Sequence, residues 1–252
     1  MRKAAQQPRS EAQPSGSGSP PRPRTLVDPL LSGRGVRHGF GVRGSAAPAG
    51  CLRPRQVHGA TAVMAEACRP PGPAPEADAV IATTRGVVVG VVTADCVPIL
   101  LATEQGEGVA AVHAGWRGLA CGVVGAGVLE LARASGATPA GIAAAIGPHI
   151  GHCCYEVDAP VLDAIAARLG PAALAHATPV RPDHWLLDLG ALATLALVRA
   201  GVPPPAIGNA AACCTACDPE RFHSHRRDGP AAGRLVHFVE VPRPFRGGRP
   251  EA

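Results

Sequence analysis

The sequence predicts a single α/β domain of the α+β kind, with a mixed or two-sheet β core flanked by helices. Three observations carry this. Short β-branched apolar runs recur along the body of the chain, Ala-rich stretches of helical length separate some of them, and the regular strand–helix alternation of a doubly wound nucleotide fold is absent. In chain order, strands are expected at 36–42 (VRHGFGV), 60–64 (ATAVM), 79–82 (AVIA) and 87–93 (VVVGVVT), the last closed by the polar Ala94-Asp95 step. Further strands are expected at 99–102 (ILLA), 109–113 (VAAVH), 142–146 (IAAAI), 185–188 (WLLD), 206–212 and 234–239. Helices are expected at 118–135, 159–169 and 189–200, the last stopped by Gly201 with Pro203 beyond it.

The chain has 252 residues and a formal charge of +5, and the position of that charge excludes more than its size. Residues 1–24 carry +4 and residues from Arg243 onward carry +2, which leaves the body at −1. A body without excess positive charge offers no basic face to a phosphate backbone, so no nucleic-acid partner is expected. No apolar run reaches the ~18 residues of a membrane span, and no membrane association is expected. The N-terminus lacks the apolar segment of a signal peptide, and nine cysteines are an odd number in a chain of this size. Reduced thiols and a cytoplasmic location follow as expectations. The segments 1–24 and 242–252 are rich in Pro, Gly and Arg with little to bury, and are expected to be disordered tails around a domain of 25–241. The sequence gives no oligomeric state.

The His and Cys residues sit at strand ends. His58 opens one strand, Cys96 lies just past the 87–93 run, and His113 ends the 109–113 run. Two imidazoles and one thiolate would leave a zinc ion one open position, the arrangement of a catalytic site. On residues alone a buried cysteine with two hydrogen-bonded histidines fits equally well, because the separations 58, 96 and 113 match no short knuckle. Gly59 and Gly115 favour close backbone approach at this place. There is no GxxxxGK[ST] loop, so that phosphate-cradling nucleotide loop is absent. Cys214-Thr215-Ala216-Cys217 is a CxxC without a partner CxxC, and is read as structural; Cys153 and Cys154 are read as core.

Five segments then occur in order: Gln56-Val57-His58-Gly59; Thr93-Ala94-Asp95-Cys96; His113-Ala114-Gly115-Trp116-Arg117-Gly118; Gly147-Pro148-His149-Ile150 with Tyr155-Glu156-Val157; and Cys214 to Cys217 with Phe222-His223-Ser224-His225-Arg226-Arg227. Together they resemble the YfiH-like, or laccase-domain multicopper polyphenol oxidase, family, also called the peptidoglycan editing factor family. The likeness runs from about Val36 to Val239. It implies zinc held by His58, Cys96 and His113, and phosphorolysis of purine nucleosides (inosine, adenosine or methylthioadenosine) with phosphate as co-substrate. It also implies adenosine deaminase activity. The chain departs from the family pattern in a short 41–55 segment, in Val42 before Arg43, and in His225 where a tyrosine is usual. The short segment is expected to widen the pocket or remove a wall of it.

For deamination, zinc would lower the pKa of a water toward about 7 for attack at purine C6. Asp95, beside Cys96, is the candidate proton carrier, with orientation of a ligand as its other reading. For phosphorolysis, Arg117, Arg43 and Arg226, with Arg227 behind them, are candidates to hold phosphate, because guanidinium forks match its oxygens. Trp116 is expected to pack under the site. The competing reading is a cysteine hydrolase or amidase acting on peptidoglycan precursors, with Cys96 as nucleophile and His113 as its base. A true laccase is excluded by the donor count, since His223 and His225 form the only His-x-His and there is no His-Cys-His; isolated copper binding is compatible with the ligands, a multicopper cluster is not.

Overall fold

The computed structural model describes residues 25–242, and the expected tails fall outside the described residues apart from Pro242. The first half contains α1 (Pro29–Gly33), β1 (His38–Gly39), β2 (Ala62–Met64), β3 (Ala79–Ala82), β4 (Val88–Thr93), β5 (Val97–Thr103), β6 (Val109–Ala114), α2 (Trp116–Cys121) and α3 (Val123–Ser135). The second contains β7 (Ile142–Ile146), β8 (Glu156–Asp158), α4 (Ala159–Leu169), β9 (Ala177–Arg181), β10 (His184–Leu187), α5 (Leu189–Arg199), β11 (Ile207–Gly208), α6 (His225–Asp228) and β12 (Leu235–Glu240). The result is the expected mixed α/β domain.

Six strands form the main sheet in the order β11-β7-β5-β6-β3-β2, with antiparallel pairs at its centre and a parallel pair at each edge. A second sheet, β1-β12-β4, is antiparallel throughout. Side chains along the central strands alternate between two cores. Val97, Ile99 and Leu101 of β5 join Val128, Leu131, Ile165 and Leu197 of α3, α4 and α5 on one face. Leu100 and Ala102 join Phe40, Val89 and Val91 toward the second sheet on the other. Because both faces are covered, these strands are apolar except near their ends, at Thr103 and His113, and show no polar alternation. On the face toward the second sheet the main sheet presents Ala82, Ala102, Ala111, Ala143 and Ala145, small side chains that let the two layers approach.

The helices follow the apolar spacing. Val124, Val128, Leu131 and Ala132 lie on the buried side of α3, and Leu189, Leu192, Ala193 and Leu197 on that of α5. Asp188 caps α5 by accepting from the Ala191 N–H at 2.8 Å. The single helix expected over 118–135 is two, α2 and α3, divided at Gly122. That residue has φ +89°, and a Cβ there would run into the Arg168 guanidinium.

A third sheet, β8-β10-β9, is small and mostly solvent-facing; only β10 of its three strands was expected. The expected strand at 36–42 shrinks to β1 with one bridge, Leu26 to Phe40, and that at 206–212 shrinks to β11. No helix among the described residues is long and apolar enough to cross a membrane.

Candidate metal centre

The chain leaves the second sheet at Thr93, the end of β4, and enters the main sheet at Val97, the start of β5. Residues 94–96 make that crossing, and Asp95 makes it in a left-handed conformation, φ +90°. Its carboxylate organises the surroundings. One oxygen accepts from the Thr215 hydroxyl at 2.6 Å, and the other from the Ser224 hydroxyl at 3.1 Å and the Arg226 N–H at 2.6 Å. Cys96 therefore stands at the seam of the two sheets. On the neighbouring strand His113 pairs in register with Pro98 of β5, which brings it beside Cys96.

His58 reaches the same place from the loop before β2. Its backbone is left-handed, φ +61°, and Asp78 holds it there. The Asp78 carboxylate accepts from the N–H groups of His58 at 3.0 Å, Gly59 at 2.7 Å and Val57 at 3.2 Å. The same carboxylate takes the His113 Nδ1 proton at 2.8 Å, which leaves Nε2 for the side of Cys96. Gln56 anchors the loop further back, donating to the Val92 carbonyl and accepting from the Val92 N–H, both at 2.7 Å.

The ligand atoms of His58, Cys96 and His113 lie within 4.8 Å of one another. Cys96 Sγ is 3.9 Å from His58 Nε2, and the two imidazole rings meet edge to face at 4.8 Å. His113 is buried, Cys96 half-buried and His58 exposed, so the group is closed behind and open in front. Gly115 makes this approach possible: a Cβ there would sit 2.8 Å from Cys96 Sγ and 3.3 Å from the His58 ring.

The electrostatics suit a cation. Burial pushes the Cys96 thiol up, but hydrogen bonds and charge from His113 and His58 outweigh it and bring the pKa down to about 7. Burial lowers His113, and its bonds to Asp78 and Cys96 reverse this and raise it to about 9. Burial raises Asp78, while the His113 bond and the Gly59 and His58 amides hold it below the ordinary carboxylate range. Two nitrogens, one ionisable sulfur and an open side fit zinc with a fourth position left for another ligand.

The open side faces a cavity of about 600 Å³. Trp116, Arg117, Tyr155 and Arg226 line it in two stacked pairs, Arg117 lying 4.4 Å over the Trp116 ring and Arg226 5.1 Å over Tyr155. Arg226 is fixed further by the carbonyls of Glu156 at 3.0 Å and Cys154 at 3.4 Å. Trp116, expected to pack under the site, packs against the helix-side core and also forms part of the cavity wall. Pro54 and Gln56 line the side where the sequence is short, so that segment still supplies wall. His225 also lines the cavity.

The structure does not bring Arg43 to the cavity. Its guanidinium donates to the Phe222 carbonyl at 3.1 Å and pairs with Asp228 at 3.4 Å. Arg227 is likewise spent on the carbonyls of Thr215, Ala216 and Phe222 and on Asp228. Cys153 and Cys154, expected in the core, sit in a surface turn, Cys153 exposed and Cys154 half-buried.

Asp78 is the residue that sequence reasoning missed; Gln56 stood in the first of the five segments with no anchoring role assigned to it. The signal for Asp78 was a lone carboxylate abutting the fully apolar run 79–82, a place where an acid is costly unless several donors meet it.

The family model described as "Multi-copper polyphenol oxidoreductase laccase" matches residues 41–242. A purine nucleoside phosphorylase of Xylella fastidiosa is 41% identical over 177 residues, 69% of this chain and 66% of that one. The match thus spans slightly under two-thirds of that curated relative's length. Among solved structures, YlmD from Geobacillus stearothermophilus superposes with a TM-score of 0.71 at 34% identity, over 77% of this chain and 74% of that one. The Bacillus licheniformis protein YfiH gives a TM-score of 0.75 at 26% identity, over 82% and 93%.

Proposed function

The chain belongs to the multi-copper polyphenol oxidoreductase laccase family, and on that premise we propose that it is a zinc-dependent purine nucleoside phosphorylase that also deaminates adenosine. The observation that carries the reading is the donor triad opening onto a cavity whose far wall holds two arginines stacked on aromatic rings. The name of the Xylella relative points the same way.

His58, Cys96 and His113 would hold the ion, with Asp78 fixing both histidines. Zinc supplies Lewis acidity there, the chemistry that polarises a bond to oxygen or acidifies a water. The other groups bind and orient. A nucleoside needs apolar surface for its base, which the cavity lining around Trp116 and Tyr155 would supply beside the stacked arginines, and phosphorolysis needs fixed positive charge to hold phosphate against ribose C1′. Arg117 and Arg226 supply that charge, already immobilised by stacking, so little side-chain entropy is lost when phosphate arrives. Phosphate oxygen then forms a bond to C1′ while the C1′–N9 bond breaks and its electron pair leaves with the base. Asp95, with both oxygens taken by three donors, serves as a positioning residue: it fixes the turn that presents Cys96 and the Arg226 backbone together.

The family description names copper and phenol oxidation. Among the described residues only two groups of three or more His, Cys, Asp or Glu donors converge, and His223 and His225 belong to neither. That donor set does not build a multicopper cluster. One observation favours a second reading. A Cys96 thiol of pKa about 7 beside a proton-bearing His113 is also the charge state of a cysteine nucleophile with its base.

Product analysis separates the readings. With inosine, free hypoxanthine should form only when phosphate is present, and adenosine should yield inosine. A chelator and His113→Ala should each abolish both reactions. Turnover that persists or rises under chelation favours the cysteine hydrolase. Absence of nucleoside turnover in metal-loaded protein removes the phosphorylase assignment.

A further inference from the structure

A second cluster of donors lies outside the triad. Cys153, Cys154, Cys214 and Cys217 bring four sulfurs within 4.8 Å of one another, from two loops some sixty residues apart. We propose that these four thiolates bind one structural zinc ion, distinct from the ion of the His-Cys-His triad.

The sulfur geometry carries the inference. Four thiolates at ~2.3 Å around one zinc lie roughly 3.8 Å from each other. Cys217 Sγ stands 3.5 Å from Cys153 Sγ and 3.4 Å from Cys154 Sγ. One sulfur nearly equidistant from two others is the arrangement of a shared ion, whereas a disulfide would single out one partner. The backbone is arranged for thiolates as well. Cys214 and Cys217 have the C-x-x-C spacing of a zinc knuckle, and the Gly151 N–H donates to Cys214 Sγ at 3.2 Å. Four sulfurs this close cannot all ionise without a cation among them.

The ion would clamp the cavity wall. His149 pairs with Cys214 in a parallel bridge, and the turn that carries Cys153 and Cys154 leads directly to Tyr155. On the other loop Thr215, between the two cysteines, donates to Asp95. Fixing the four sulfurs thus fixes Tyr155 and, through Thr215 and Asp95, the turn bearing Cys96. The donor set is all sulfur and closed, which is the chemistry of a structural site and not of a catalytic one.

The test is metal stoichiometry on the reduced full-length chain. Wild type should carry two zinc per chain, and His113→Ala and Cys214→Ser/Cys217→Ser should each carry one. Cobalt substitution adds a signature, because sulfur-to-cobalt charge transfer should lose most of its intensity in the double serine variant and little in His113→Ala. If the serine variant does not fold, cadmium-113 NMR of the wild type decides: two resonances are expected, one in the all-thiolate range. A single zinc per chain that His113→Ala abolishes would overturn the proposal. So would the lack of a cadmium resonance in the all-thiolate range, or an intact mass two hydrogens light with Cys217 linked to Cys153 or Cys154.

Discussion

Asp78 is the residue on which the triad turns. It is fully buried, and it aims His113 through Nδ1 while holding the left-handed backbone of His58 through two amides of that loop. Asp78→Asn keeps the size but presents an NH2 group to at least one of these donors. Carboxylates that orient metal-bound histidines typically contribute 10–100-fold to metal affinity, and a weakening of that order is expected for zinc at the triad. Competition with a chromophoric chelator measures it; unchanged affinity would mean that the histidines find their positions without Asp78. Gly115→Ala probes the same place by volume alone. Gly115 has φ −76°, which alanine adopts without strain, so any effect comes from the added methyl meeting Cys96 Sγ and the His58 ring. The fold should survive by circular dichroism while one zinc per chain is lost. Retention of that zinc would show that the ligands have slack.

Between elements, legibility followed burial. Strands β3 to β7 were visible because both faces are covered, so their sequences are apolar runs with polar residues only near their ends, at Thr93, Thr103 and His113. Strands β8 and β9 were not, since β9 is almost wholly exposed and reads as loop. The break at Gly122 was invisible for a different reason: an Ala- and Gly-rich stretch keeps its helical spacing across it, and only the position of Arg168 on another helix decides. The three donors were visible in the sequence near strand ends, where the residues alone left a metal site and a hydrogen-bonded cysteine with two histidines equally open and only the resemblance chose between them; Asp78, which acts through long-range backbone bonds, was not visible. Gly122→Ala should cost about 1–2 kcal/mol, from the left-handed backbone and the clash with Arg168, read as a shift in denaturant midpoint. The second sheet also carries a pH response. His38 accepts the Asp28 N–H at 2.8 Å through Nε2 and is held below its ordinary value mainly by burial, and His237, buried and near Thr93, is lowered to about 3. Both are neutral in the fold and take up protons more readily when unfolded. Their contribution to stability is therefore complete above the ordinary histidine value of ~6.5 and falls as pH drops from there toward 3. Thermal melts should show this acid-side slope, and His237→Gln should flatten it. An unchanged slope in that variant would place the titration elsewhere.

At the scale of the whole molecule, the triad is assembled from a loop, a sheet-to-sheet crossing and a strand end, and Asp95 ties it to the 213–227 region through Thr215, Ser224 and Arg226. Such a site exists only when the two sheets are docked, so binding there must be linked to global folding and not to any one element. An ion that binds the folded chain alone stabilises it by RT ln(1 + [L]/Kd), about 2.7 kcal/mol at a free concentration of one hundred times Kd. For a domain of this size each kcal/mol moves the melting temperature by roughly 2–4 °C, which gives an expected rise of roughly 5–10 °C from the triad ion. His113→Ala should lose that share of the rise and keep whatever belongs to the cysteine cluster, while the double serine variant should do the reverse. The two shares should depart from additivity, because Thr215, between Cys214 and Cys217, donates to Asp95 beside Cys96 and so couples the two sites. If His113→Ala keeps the whole rise, the ion is not seated at the seam of the sheets, and the linkage between site and fold fails with it.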